Sequence, residues 1–157
     1  WDEHVETLAD GTEVTLRKPR LRIENPAFGE FPPDTMTSLR QAPPVFGLGL
    51  LEAVAEDEIL AIAQRQRTQG FSGRPNYVWD AIHGRQALGR FGLKATQPTL
   101  RQQVAAAALH DIGATSSVFP QQNCPPVQKD CRREIPGNDP ELGDAAWDDL
   151  EIFSLGL

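Results

Sequence analysis

The stretch "TLRQQVAAAALHDIG", residues 99–113, constrains the fold of this chain more than any other. Leu100, Val104 and Ala108 recur at i, i+4 and i+8, the spacing that puts side chains on one helical face. Thr96 or Thr99 offers an N-terminal cap, Pro98 suits a first turn, and Gly113 suits the C-terminal stop. Four consecutive alanines, 105–108, make the helix slim. A neighbouring backbone, or a flat ligand, can approach such a helix closely.

The rest of the chain surrounds this helix with loops. Thirteen prolines and thirteen glycines in 157 residues are more than a compact bundle needs, so long ordered loops are expected. The residues "HVETLADGTEVTLRK" (4–18) hold two β-prone runs around Asp10-Gly11, a turn dipeptide that tolerates positive φ, and predict a hairpin. Val14 and Leu16 share one of its faces. Residues 19–44 show no sustained period. An apolar segment at 45–54 leads to a helix near 56–67, lined by Ile59, Ile62 and Ala63 and stopped by Gly70. Residues 70–80 read as loop. A last helix is expected near 141–154 with Ala146, Leu150 and Phe153 inward.

Charge and apolar content exclude some classes. The formal net charge of −7 argues against a nucleic-acid partner, which needs clustered Lys and Arg on phosphate. The run "RKPR" (17–20) is too short to change that. No stretch approaches the roughly 18 apolar residues of a membrane span. The start at Trp1 without a Met points to a processed product or a fragment. Cys124 and Cys131 fit no zinc spacing; a small-loop disulfide is the better reading, and it implies an oxidising compartment.

His110-Asp111 raises the question of a metal site of the HD phosphohydrolase kind, with His83 as the upstream ligand. Such a site needs imidazole and carboxylate donors converging on divalent ions. His83 lies in the Gly-bounded "DAIHGRQALG", and His110 falls in a last helical turn, where a cation faces the macrodipole favourably. The metal reading is therefore remote. There is no Gly-x-Ser-x-Gly elbow, phosphate-binding Gly-rich loop or His-Glu-x-x-His helix. Glu52, after the apolar run "GLGLL", reads first as a helix-start carboxylate.

Three stretches in order, "SLRQAPPVFGLGLLEAV" (38–54), "GFSGRPNYVWD" (70–80) and "LGRFGLKATQPTLRQQVAAAALHDIGATS" (88–116), resemble the bacterial di-haem oxidoreductases described as peroxidases or thiol oxidoreductases. These are distant relatives of the di-haem cytochrome c peroxidases. The resemblance continues through "NCPPVQKDC" and "DPELGDAAWDDLEIFSLGL". In it, "LHDIGATS" matches a helix end through Asp111, and His110 stands outside the pattern.

The resemblance implies a mainly α fold with long ordered loops and an N-terminal β-hairpin, a cytochrome c peroxidase-like inter-haem region. Residues 1–157 would be a single domain or a fragment, with hairpin and arm at 1–25 and a helical, loop-rich region at 26–157. It implies a part of a periplasmic oxidoreductase in electron transfer or peroxidase-type chemistry, with a redox partner protein. Two Cys-x-x-Cys-His motifs normally tether the family's haems, and this sequence has neither. Haem c would then come from segments or chains outside it. Arg40, Arg90, Phe91 and Gln103 are the candidate haem contacts, the arginines toward propionates. Glu52 is the candidate acid/base group; His110 and Met36 are minor candidates for axial ligation. Leu93 replaces a usual Trp, Ile112 a usual Met, and "AQRQRTQGFSG" lacks the acidic loop of a calcium site. The alternative is a haem-free structural or interaction subunit of a larger redox assembly.

Overall fold

A computed structural model describes residues 1–26, 29–42, 44–126, 128–134 and 137–157. Pro43 and Val127, which belong to two of the stretches above, lie outside the described residues. The chain forms two compact units, Trp1–Ala42 and Pro43–Leu157.

The first unit is built on the predicted hairpin. Strands β1 (Asp2–Thr7) and β2 (Glu13–Lys18) pair antiparallel, with His4 opposite Leu16 and Glu6 opposite Val14. Gly11 takes φ 85° and donates its N–H to the Leu8 carbonyl at 2.9 Å, while the Asp10 carboxylate accepts from Thr12 N–H at 3.0 Å. The Asp-Gly pair thus supplies both the left-handed backbone and the side-chain acceptor that the turn requires. A cross-strand pair, Arg17 to Glu3 at 2.9 Å, lies on its exposed surface. None of the described residues of this unit is buried, as expected of a ribbon with only two strands.

The second unit holds helices α1 (Leu48–Ala53), α2 (Glu56–Thr68), α3 (Leu100–Ile112) and α4 (Asp144–Leu155), and a second hairpin of β3 (Tyr77–Asp80) and β4 (Arg85–Leu88). The core gathers on α3: Leu100, Ala105, Ala106 and Leu109 are buried with Leu88, Phe91 and Trp147. Thr99 caps α3, its Oγ accepting from Gln102 N–H at 3.2 Å. Gly113 closes it at φ 75°, with Ala114 N–H returning to the Ala108 carbonyl at 2.9 Å. Pro98 precedes the cap and is not in the first turn. The buried residues of α3 are Leu100, Gln102, Ala105, Ala106 and Leu109; Leu100 is inward as expected, while Val104 and Ala108 are only half-buried, which corrects the rest of the expected stripe. The buried Gln102 explains the shift. It donates to the Trp79 carbonyl (3.1 Å) and to Gln97 (2.8 Å), and it accepts from Ala81 N–H (2.7 Å), so an amide is fully satisfied inside.

Two further expectations are corrected. Residues 70–80 are not all loop: β3 begins at Tyr77 and turns back through Asp80 into β4. On α4 the inward residue is Trp147, with half-buried Glu151 and Ser154 on the same face, while Ala146, Leu150 and Phe153 are all exposed. The indole buries more apolar area than either Leu150 or Phe153 could, and its N–H finds the Arg101 carbonyl at 2.9 Å. The fold is therefore a mixture of helices and small antiparallel sheets with an N-terminal hairpin, broader than the mainly α class expected. None of the described helices is long and apolar enough to cross a membrane.

Candidate functional site

The second unit has an apolar cleft of about 250 Å³ on the slim helix. Its inner wall is Phe91 and Leu100, with Val104 and Ala107 from α3 and Leu48 from α1. The four alanines divide by helical phase: Ala105 and Ala106 pack into the core, and Ala107 lines the cleft. Gln103 and Ser154 are its polar members. Gly92, at φ 80°, also lines the cleft; a Cβ there would stand 3.2 Å from Thr96 Oγ and 3.6 Å from Gln103 Oε1.

The width of this cleft is set by how α1 is held. Glu52 accepts the N–H of Leu100, the first free donor of α3, at 2.7 Å. A carboxylate at a helix N-terminus satisfies a donor and meets the positive end of the dipole. Arg90 Nη1 lies on the carbonyls at the end of α1, 3.1 Å from Leu51 O and 3.3 Å from Glu52 O, and also on Val54 O. Gly49 packs against the Leu155 carbonyl, and Gly47 N–H donates to Leu157 O at 3.0 Å. The two residues selected as acid/base group and propionate contact thus tie α1 to α3 and to the end of β4.

The remaining predicted residues are dispersed. Phe91 and Gln103 share the cleft. Arg40 lies exposed in the first unit, its Nε donating to Ser38 Oγ at 3.2 Å, and Met36 is also exposed there. His110 is exposed on the last turn of α3, with Nδ1 2.7 Å from its own Ala106 carbonyl. Cys124 and Cys131 form the expected disulfide, with 5.9 Å between their Cα atoms. Among the described residues, no three His, Cys, Asp or Glu side chains gather as a metal site requires, so the phosphohydrolase arrangement is not assembled.

One constellation was not read from the sequence. Asp80 is buried, and its Oδ1 accepts from the backbone N–H groups of Ile82 (3.0 Å) and His83 (2.9 Å). Its Oδ2 lies 2.7 Å from His83 Nδ1, and the imidazole itself is 57% exposed. Burial pushes the Asp80 carboxyl upward, yet the His83 N–H, the His83 ring and the Ile82 N–H together hold it below its ordinary value. The available signal was "DAIHG", an Asp three residues before a His within a Gly-closed turn.

The family profile described as "di-haem oxidoreductase, putative peroxidase" matches residues 1–127, four-fifths of the chain. The chain belongs to the di-haem oxidoreductase family. No curated protein and no solved structure gives a match. The match spans both hairpins, the cleft helices α1 and α3, and Cys124, and it ends before Cys131.

A family named for haem calls for a test of what this chain offers to one. It does not fit as a tether: there is no Cys-x-x-Cys-His, and both sulfurs are consumed in one disulfide. The cleft on α3 does not fit as an enclosure either, because 250 Å³ is below the roughly 300–1,000 Å³ of sites that bury a whole small ligand. An iron already held by four porphyrin nitrogens needs only one or two axial donors. The described residues fit the group only at that level, and as an apolar surface against which an edge can pack.

Proposed function

We propose that this chain is the haem-free portion of a periplasmic di-haem c-type oxidoreductase with peroxidase-type or electron-transfer chemistry. The haem is carried by segments or chains outside this sequence, and the cleft between α1 and α3 packs against it. One observation carries the reading: Phe91 and Gln103, both selected as cofactor contacts, meet Ala107 of the slim helix on one apolar cleft. The disulfide supports an exported location, since such bonds persist in oxidising compartments.

When bound, haem supplies the redox chemistry, and the protein supplies orientation and electrostatics. In this chain, Phe91, Val104 and Ala107 would exclude water along a porphyrin edge, and Gln103 would offer one amide hydrogen bond at its rim. Glu52 and Arg90 act as positioning residues. The Glu52 carboxylate serves Leu100 N–H, and Arg90 holds the α1 carbonyls, so both fix the cleft wall. Arg40 remains a propionate contact only in the complete assembly.

The test is haem mapping on the intact protein from its source. Digestion should yield visible-absorbing haem peptides from outside residues 1–157, with a redox partner reducing the intact protein. A colourless intact protein would favour the haem-free interaction subunit and end this reading.

A further inference from the structure

We propose that the Cys124–Cys131 disulfide is a thiol-exchange site, at which a small peptide thiol bearing carboxylate and ammonium groups becomes attached to Cys131. Haem takes no part in this chemistry, so the proposal goes beyond the reading above. It starts from where the bond lies. A bridge that braces a fold joins elements of its core. Here none of the described residues in 121–134 is buried, and the core residues all come from other segments. The loop's own hydrogen bonds are local: Gln128 N–H donates to the Pro125 carbonyl at 3.0 Å, and Glu134 N–H to the Asp130 carbonyl at 3.1 Å. Opening the bond therefore leaves the core intact.

Both cysteines line a second cavity, of about 490 Å³, together with Gln121, Gln122, Arg132 and Glu134. That volume lies within the roughly 300–1,000 Å³ of small-ligand sites. Gln122 is held in its wall by Glu141, to which its amide donates at 2.8 Å. The lining chemistry defines the ligand class. A guanidinium receives a carboxylate, a carboxylate receives an ammonium, and two primary amides serve peptide groups. A short peptide carries all of these, and the disulfide is where its thiol reacts.

The two sulfurs are not equivalent. Cys131 is exposed and Cys124 half-buried, so an incoming thiolate reaches Cys131 first. Arg132 Nε and Nη2 each lie 3.4 Å from the Cys124 carbonyl, which keeps a cation beside the residue whose sulfur must leave. A positive neighbour stabilises a thiolate and makes it a better leaving group. A new S–S bond forms between the peptide sulfur and Cys131 Sγ, and the Cys124–Cys131 bond breaks. Its electron pair passes to Cys124 as thiolate. The incoming negative charge reappears there, and no outside oxidant or reductant is consumed.

The test is incubation of the purified full chain with reduced glutathione at mildly alkaline pH, with acid-quenched samples read by peptide mass mapping. The adduct should form on Cys131, leaving Cys124 as a free thiol. Arg132→Ala, checked for folding by circular dichroism, should slow it roughly three- to fivefold, the effect of an exposed charge. Arg133→Ala should leave the rate unchanged. The rate ratio of glutathione to uncharged 2-mercaptoethanol should be higher on the folded chain than in urea, where no cavity forms. In urea the two sulfurs should also react alike. Adduct mainly on Cys124, or a choice of sulfur that persists in urea, overturns the proposal. So does an Arg132→Ala rate equal to wild type, or a thiol ratio unchanged by urea. Absence of adduct on the folded chain, where the unfolded chain reacts, overturns it as well.

Discussion

The guanidinium of Arg101 lies 3.8 Å above the ring of Trp147, and the Trp147 indole N–H donates to the Arg101 carbonyl at 2.9 Å. The same guanidinium bridges to Asp148 at 2.7 Å and to Glu151, and these carboxylates raise its proton affinity. This clasp fastens α4 to α3, which places Ser154 at the cleft. Trp147→Phe keeps a ring and loses the donor, so it should cost about 1 kcal/mol. Trp147→Ala should cost about 3–5 kcal/mol, as deletions of a buried aromatic do. Urea denaturation followed by far-ultraviolet circular dichroism checks both.

Glu52→Ala should destabilise by about 0.5–2 kcal/mol through loss of the acceptor at Leu100 N–H. Glu52→Gln should recover most of this, because an amide oxygen also accepts. A catalytic carboxylate would not be rescued in that way, so peroxide turnover of the complete protein separates the two roles. Arg90→Lys should lose less than Arg90→Ala, since the α1 carbonyls all gather on the single Nη1 and an ammonium can also donate to them.

Gly89→Ala should prevent folding or cost several kcal/mol. A Cβ at Gly89 would overlap the Ala95 carbonyl and press on Asn76 O at 3.2 Å. Gly49→Ala should act similarly through the Leu155 carbonyl. Gly73→Ala, whose Cβ would meet only Gln66 Oε1 at 3.8 Å, should stay within about 0.5 kcal/mol. Thermal melts of the three variants rank them directly.

Glu141 fastens the loop after α3 to the entry of α4. It accepts from Thr115 N–H (3.1 Å), Thr115 Oγ (3.2 Å) and Gln122 (2.8 Å). The Thr115 N–H, against a smaller opposing effect of burial and with help from Gly137, Thr115 Oγ and Gln122, holds its carboxyl below the ordinary 4.5. A folded-state value below the unfolded one means a stabilisation present above pH 4.5 and lost as pH falls through the lowered value. Urea midpoints of wild type and Glu141→Gln should differ near neutrality and converge in acid. A gap that stays constant with pH would contradict this.

Much of this was legible where local rules decide. Asp10-Gly11, Thr99 and Gly113 are turn and cap residues whose effect is confined to a few neighbours, and the first hairpin and α3 follow from them. The disulfide followed from two cysteines with no metal spacing. The second hairpin was not legible, because its strands are four residues long and its turn depends on a buried Asp80 and Gln102 from a distant helix. The inward face of α4 was misread for a related reason: Ala146, Leu150 and Phe153 share an apolar helical spacing, but only Trp147 has Arg101 waiting for it. Phe91 and Gln103 could be named only through the family resemblance, since nothing in their spacing marks a cleft. Glu52 and Arg90 were chosen for charge, and the fold uses that charge on backbone groups.

The most direct measurement is absorption titration of the purified chain with a ferric haem peptide that carries its own proximal histidine, comparing wild type with Ala107→Trp. The chain alone should show no Soret band, and the wild type should perturb the peptide's band saturably. Ala107→Trp, which fills the cleft, should abolish or strongly weaken that perturbation while leaving the circular dichroism unchanged. Equal binding by both proteins, or none by the wild type, would contradict the account.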